Sequence, residues 1–335
     1  MGEPVPLIYE YRGDVLDLIH LGHIAIVDEK SNIIYSAGDP ENIVFYRSAS
    51  KPMQAIPAIR HGLNKEYGIT DEESVIFAGS HAGEPFHIAA LESIFSKADL
   101  NEETLIMKPA VPMNVTANEE RIGKGLPRRK MYHNCSGKHA ALMLLQRKLG
   151  GKIEDYWKLD SLAQLEVMET IKILGETRRV ETGLDGCGVP VFAVGLKHIA
   201  ISFKSLVRPA GIRDEALAQT VGDFTPLIHT YPLMMAGTGR ICTLLNQDPN
   251  IVAKGGANGV YGFALKKEGV GVAFKVSDGT EQTWPLLALG ILEALGCLNP
   301  ETKERMEELH PSIILNNNDA EAGRREIVFG GITRL

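Results

Sequence analysis

The sequence has no surplus of basic charge: 35 Lys and Arg stand against 42 Asp and Glu, a formal net charge of -7 over 335 residues. That balance gives no general attraction for phosphate backbones or anionic membranes, so nucleic acid is not an expected partner. The densest basic run, Arg128-Arg129-Lys130, is short and reads as a solvated loop. Cysteine is scarce. Cys135, Cys187, Cys242 and Cys297 are scattered too widely for a disulfide framework, which suits a reducing compartment. Long apolar runs are lacking too. The longest, Trp284 to Leu298, is interrupted by Pro285 and Glu293 and falls short of the roughly 20 residues that cross a bilayer, so it reads as a buried helix. Met1-Gly2-Glu3-Pro4-Val5-Pro6 has neither the basic nor the apolar region of an export signal, and Pro6 stands where myristoylation needs Ser or Thr. A cytoplasmic protein without membrane attachment is expected.

With 44% hydrophobic residues, the chain can bury a substantial core. His23-Ile24-Ala25-Ile26-Val27 and Asn32-Ile33-Ile34-Tyr35-Ser36, separated by Asp28-Glu29-Lys30-Ser31, predict a hairpin. Gly259 to Leu265 and Gly269 to Val276, around the turn Lys266-Lys267-Glu268, predict another, and Glu326 to Ile332 reads as a further strand. Between them, helical spacing runs through Lys51–His61, Ile88–Phe95, His139–Leu149, Leu159–Leu174 and Arg213–Leu227. The fold class expected is therefore α+β: one antiparallel sheet from about 10–45 and 250–335, flanked by helices, around a helical region of about 51–250. Arg208-Pro209-Ala210-Gly211 is the best internal break, but one catalytic unit over 1–335 is the expected organisation.

A serine hydroxyl is a poor nucleophile unless a base lies within hydrogen-bond reach. Arg47-Ser48-Ala49-Ser50-Lys51-Pro52 offers one. Proline suits a first helical turn and serine an N-cap, so Ser48 and Lys51, three residues apart, are expected on one helical face. A buried amine at a helix N-terminus has a reason to lose its proton. Alone, the pattern fits an N-cap serine and an exposed helical lysine better. Val252-Ala253-Lys254-Gly255-Gly256 changes that, because serine β-lactamases and penicillin-binding proteins combine S-x-x-K with a later K-T-G strand. Ala78-Gly79-Ser80-His81-Ala82-Gly83-Glu84 supplies a second serine in a tight, glycine-bounded turn. Met235-Ala236-Gly237-Thr238-Gly239-Arg240 lacks the length and ending of a P-loop and reads as a loop lining a cleft or as a helix-entry turn.

Tyr132-His133-Asn134-Cys135-Ser136-Gly137-Lys138-His139 gathers a thiol, an amine and two imidazoles, and Leu184-Asp185-Gly186-Cys187-Gly188-Val189-Pro190 holds a second thiol between glycines. Two thiols could meet at a zinc ion that keeps one position for water, or both could be buried core. Cys242 and Cys297 lie in apolar runs and read as core.

Taken in order, Arg47 to Pro52, Gly79-Ser80-His81, His133 to His139, Asp185 to Pro190 and Lys254-Gly255-Gly256 resemble the Rhizobium etli type of L-asparaginase, from about residue 10 onward. The resemblance implies a serine β-lactamase/glutaminase-like fold, a homodimer, and two serine-lysine pairs, Ser48 with Lys51 and Ser80 with Lys254. It also implies zinc held by Cys135, Lys138 and Cys187, although spacing alone would not choose Lys138 over His133 or His139. The expected reaction is hydrolysis of L-asparagine to L-aspartate and ammonia through an acyl-enzyme, with Arg47, Asp185 and His139 binding substrate. Another amide, such as glutamine or a β-lactam, and a non-catalytic sensor of the same fold are the alternatives.

Overall fold

Small side chains on one face of the central strands decide how this molecule packs. The computed structural model describes residues 2–335, apart from the side chain of Leu309. Its strands are β1 (Val5–Arg12), β2 (Val15–Val27), β3 (Ile33–Ala37), β4 (Ile43–Phe45), β5 (Glu181–Leu184), β6 (Pro190–Gly195), β7 (Ile251–Gly255), β8 (Val260–Leu265), β9 (Val270–Val276), β10 (Ile313–Leu315) and β11 (Glu321–Ile327). The main sheet runs β10-β11-β1-β2-β9-β8-β7, with β3 also on β2, and its pairings are antiparallel. Both parts of the chain thus build one sheet, as the sequence pattern implies.

Side chains alternate across a strand, and β2 shows the result. Ile24 and Ile26 enter one core with Phe263, Phe274, Trp284 and Leu292, whereas Ala25 and Val27 enter the other with Phe203, Ile199 and Ala264. On the second face, Gly262, Gly271, Ala264 and Ala273 leave room for the helix Leu196–Val207. Its backbone comes so close that a Cβ on Gly271 would collide with the carbonyl oxygen of Ala200, and one on Gly262 with the Phe203 ring. Strands β7 and β8 are buried along their whole length because both faces are covered.

The helices Lys51–Arg60, Pro85–Lys97, Ser136–Lys148, Leu162–Leu174 and Glu215–Thr230 lie where helical spacing is read. Their ends follow capping chemistry: Ser161 accepts from Gln164 N at 3.3 Å and Asp214 from Leu217 N at 3.0 Å. The first therefore starts later than Leu159. Three features differ from the sequence reading. The middle region also holds a small sheet, β4-β6-β5; the helix Leu196–Val207 is not among the helices expected; and the last strand is Glu321–Ile327 rather than Glu326–Ile332. No helix of the described residues is long and apolar enough to cross a membrane.

Candidate functional site

Lys51 opens the central helix of the helical region, and eight successive residues from Lys51 to Ala58 are buried. A 3-10 turn, Arg47–Ser50, precedes it, entered through Arg47 in the left-handed region at φ 50. Tyr46 anchors the turn, its N–H donating to Phe192 O at 2.9 Å and its hydroxyl lying 2.6 Å from Ser202 Oγ. The expected serine cap is not made: Ser50 is the N-cap without a side-chain bond, and its hydroxyl donates to Arg47 O. Ser48 is half-buried, one turn before the wholly buried Lys51.

Lys51 Nζ donates to Ser80 Oγ at 2.9 Å and to Asn134 O at 3.0 Å. Burial lowers its pKa, helped by the Lys138 ammonium and opposed by the Cys135 thiol. Lys254 on β7 is also buried, and burial brings its amine down to about 8. Its Nζ donates to Gly255 O at 2.6 Å. The serine-lysine hydrogen bond found among the described residues joins Lys51 to Ser80; Ser48 lies one turn before Lys51 without such a bond, and Lys254 is held by Gly255 O. The Ser80 backbone N–H donates to Met235 O at 2.8 Å.

The two cysteine segments converge beside this pair. Gly137 allows the start of the helix Ser136–Lys148 to press on the Ile76 carbonyl, where any Cβ would collide. Cys135 and Cys187 are both buried and free. Contact with Cys187, with Lys51 and Lys138 close by, holds Cys135 well below the usual thiol range, and the same contact with burial pushes Cys187 up. Lys138 Nζ donates to Cys187 Sγ at 3.2 Å. Burial opposes its charge, but the two thiols and Asp185 outweigh it and raise its pKa.

Two sulfurs and one nitrogen are donors that zinc accepts in a site with an open position, so Cys135, Lys138 and Cys187 fit the ion, provided Lys138 gives up its proton to it. A histidine in place of Lys138 fits less well. No three His, Cys, Asp or Glu side chains gather as a metal centre among the described residues. His133 Nδ1 accepts from Cys135 N at 3.1 Å. His139 is wholly buried; its Nδ1 lies 2.8 Å from the Tyr156 hydroxyl, which accepts from Ile106 N at 3.2 Å, and its Nε2 is buried without a partner. His139 thus presents no open surface.

Asp185 sits in a tight turn, its N–H donating to Val189 O at 2.9 Å and its carbonyl accepting from Gly188 N at 2.9 Å. Gly188 takes φ 89 there. Arg47 Nε meets Asp185 Oδ1 at 2.8 Å across the two motifs. The two groups singled out for a substrate's opposite charges thus pair with each other. Asn134 O and the Met235 carbonyl were missed by sequence reasoning, because a backbone acceptor leaves no trace in residue type. One cavity of about 900 Å³ is lined by Glu169, Arg178 and Asp214, and another of about 530 Å³ by Arg240, Trp284 and His310. Buried amines beside hydroxyls and thiols, rather than cavity size, mark the candidate site.

Among solved structures, the chain is similar to a β-lactamase from Mycobacterium bovis, with 14% identity over 81% of this chain and 94% of that one and a TM-score of 0.39. A Bacillus glutaminase shares 13% over 78% and 84% at a TM-score of 0.34, and simvastatin synthase from Aspergillus terreus 12% over 87% and 89% at 0.37. No curated protein matches. The family described as L-asparaginase II matches residues 8–327, nearly the whole span that carries the sheet, the serines, the buried lysines and the paired thiols, and the chain belongs to that family.

Proposed function

We propose that the protein is an L-asparaginase of the Rhizobium etli type, hydrolysing L-asparagine to L-aspartate and ammonia by serine-lysine chemistry. The observation that carries this reading is the buried Lys51 amine, bonded to Ser80 and lowered in pKa by burial. A neutral amine has two N–H donors and one lone pair. Ser80 Oγ and Asn134 O take the donors, which leaves the lone pair to accept a proton from Ser48, one turn earlier.

In this scheme Ser48 Oγ attacks the side-chain amide carbon, and its proton passes to Lys51. The tetrahedral intermediate collapses by breaking the C–N bond, and Lys51 returns the proton to the leaving nitrogen as ammonia departs. Water then cleaves the aspartyl ester, with Ser80 and Lys254 relaying its proton. Arg47 binds the α-carboxylate and Asp185 the α-ammonium. Because these two side chains neutralise each other in the free site, a zwitterion can replace each partner with a group of the same sign, leaving no buried charge unpaired.

Cys135, Lys138 and Cys187 would hold zinc, which when bound supplies a positive charge and an open coordination position near Asp185. It supports the serine-lysine chemistry rather than replacing it, so chelation should lower ammonia release without abolishing it. Zinc content measured before and after chelation checks that the ion has left. We also propose a cytoplasmic homodimer, supported by the free cysteines and by the exposed Val15, Leu16, Leu18 and Ile19 of β2. Sedimentation analysis tests the dimer.

Ser48→Ala should cost at least about a thousandfold in kcat, as removal of an activated nucleophile does. Ammonia release from asparagine, compared with glutamine and with nitrocefin hydrolysis, tests the substrate. Peptide mapping of trapped acyl-enzyme tests the nucleophile. Equal turnover by Ser48→Ala, or a label confined to Ser80, would overturn the role given to Ser48, and absent turnover would favour a sensor.

A further inference from the structure

The backbone of Ser80 is bonded to a segment that neither Ser80 nor Lys51 belongs to. Ser80 N–H donates to Met235 O at 2.8 Å, and a Cβ on Gly79 would lie 2.5 Å from Met234 O. The segment Leu233–Thr238, a short helix Leu233–Ala236 followed by a turn, is therefore pressed against the backbone that carries Ser80. Both ends of the segment are held from the start of the helix Pro85–Lys97. His87 Nδ1 accepts from Glu84 N at 3.2 Å, so its proton sits on Nε2 and is donated to Leu233 O at 3.0 Å. At the other end, the buried Glu84 carboxylate accepts from Thr238 N at 2.8 Å and from Thr238 Oγ1 at 2.7 Å. Gly237, between them, takes φ 104, and any Cβ there would collide with Glu84 Oε1.

We infer that Glu84 is a positioning residue: by clamping Thr238 it fixes Met235 O, and so holds the Ser80 hydroxyl on Lys51. This rests on the asparaginase reading for its kinetic consequence only. A carboxylate that accepts twice from one residue fixes that residue's direction as well as its distance, which a lone cap does not.

The test uses the full chain. Thr238→Val removes the hydroxyl donor at an exposed position and keeps the amide, while Glu84→Gln removes the charge and keeps one oxygen acceptor. Each should lower kcat for L-asparagine about three- to tenfold, the effect of one weakened hydrogen bond, with KM changed by less than about twofold. The double variant should lose less than the product of the two, since both act on one contact. Hydrogen exchange at the Ser80 amide should quicken by a similar factor in folded variants. Wild-type exchange at Ser80 in both variants, or faster exchange with unchanged kcat, would overturn the inference. A wild-type chain that does not release ammonia would sink the asparaginase reading, and exchange alone would then decide the clamp.

Discussion

Lys51, Lys138 and Lys254 are all buried, yet their amines are driven in different directions. Burial lowers Lys51 and Lys254, whereas the thiols beside Lys138 outweigh burial and raise it. The lowered Lys51 amine meets Ser80 and the raised Lys138 amine meets Cys187, a division that residue type alone does not reveal. In the proposed reaction Lys254 works neutral, and with a pKa of about 8 it gains that form as pH rises. The kcat for ammonia release should therefore climb up to about tenfold per pH unit below 8 and level off above it. Lys254→Met should remove that limb, and a limb that survives the substitution would show that another group sets it. Of the candidate site, Lys51, Ser80 and the two cysteines, which the fold brings together, were legible in the sequence, because nucleophiles and ligands are few. That Lys51 meets Ser80 was not, since the backbone carbonyls beside them, Met235 O and Asn134 O, come from segments distant in sequence.

At the scale of elements, the sheet was legible where strands alternate and the helices where apolar residues recur at helical spacing. The helix Leu196–Val207 was overlooked although Leu196, Ile199, Ala200, Phe203 and Val207 recur at steps of three and four, the helical signature. Its packing depends on what the strands lack. Gly271→Ala would drive a methyl group into the Ala200 carbonyl and should destabilise the fold by about 1–3 kcal/mol, the usual cost of overpacking. Urea unfolding at neutral pH measures this, and an unchanged midpoint would show that helix and strand can separate freely. The small β4-β6-β5 sheet was missed for a different reason. Strand β6 is buried throughout and β4 is three residues long, too short for alternation to register.

Acid tolerance belongs to the whole molecule. His81, His87 and His139 are buried and neutral, their pKa values lowered chiefly by burial, that of His87 to about 4. Between the folded value and the unfolded one near 6.5, the unfolded chain binds more protons, so stability falls as pH drops through that window. His87 alone accounts for about 3 kcal/mol, fully lost only below its folded value. Unfolding free energies from urea titrations at pH 7, 5.5 and 4.5 should decline progressively; a flat profile would mean that these rings accept protons in place.

Pairing β2 with β9 couples Gly22–Val27 to Gly271–Val276, so the ribosome must deliver most of the polypeptide before the early hairpin meets its neighbour. Until then a nascent chain carries an open, apolar strand edge through a long stretch of translation. Such late closure makes folding slow and dependent on distant contacts. Truncation within β9 should yield a chaperone-bound or insoluble product rather than a smaller folded domain.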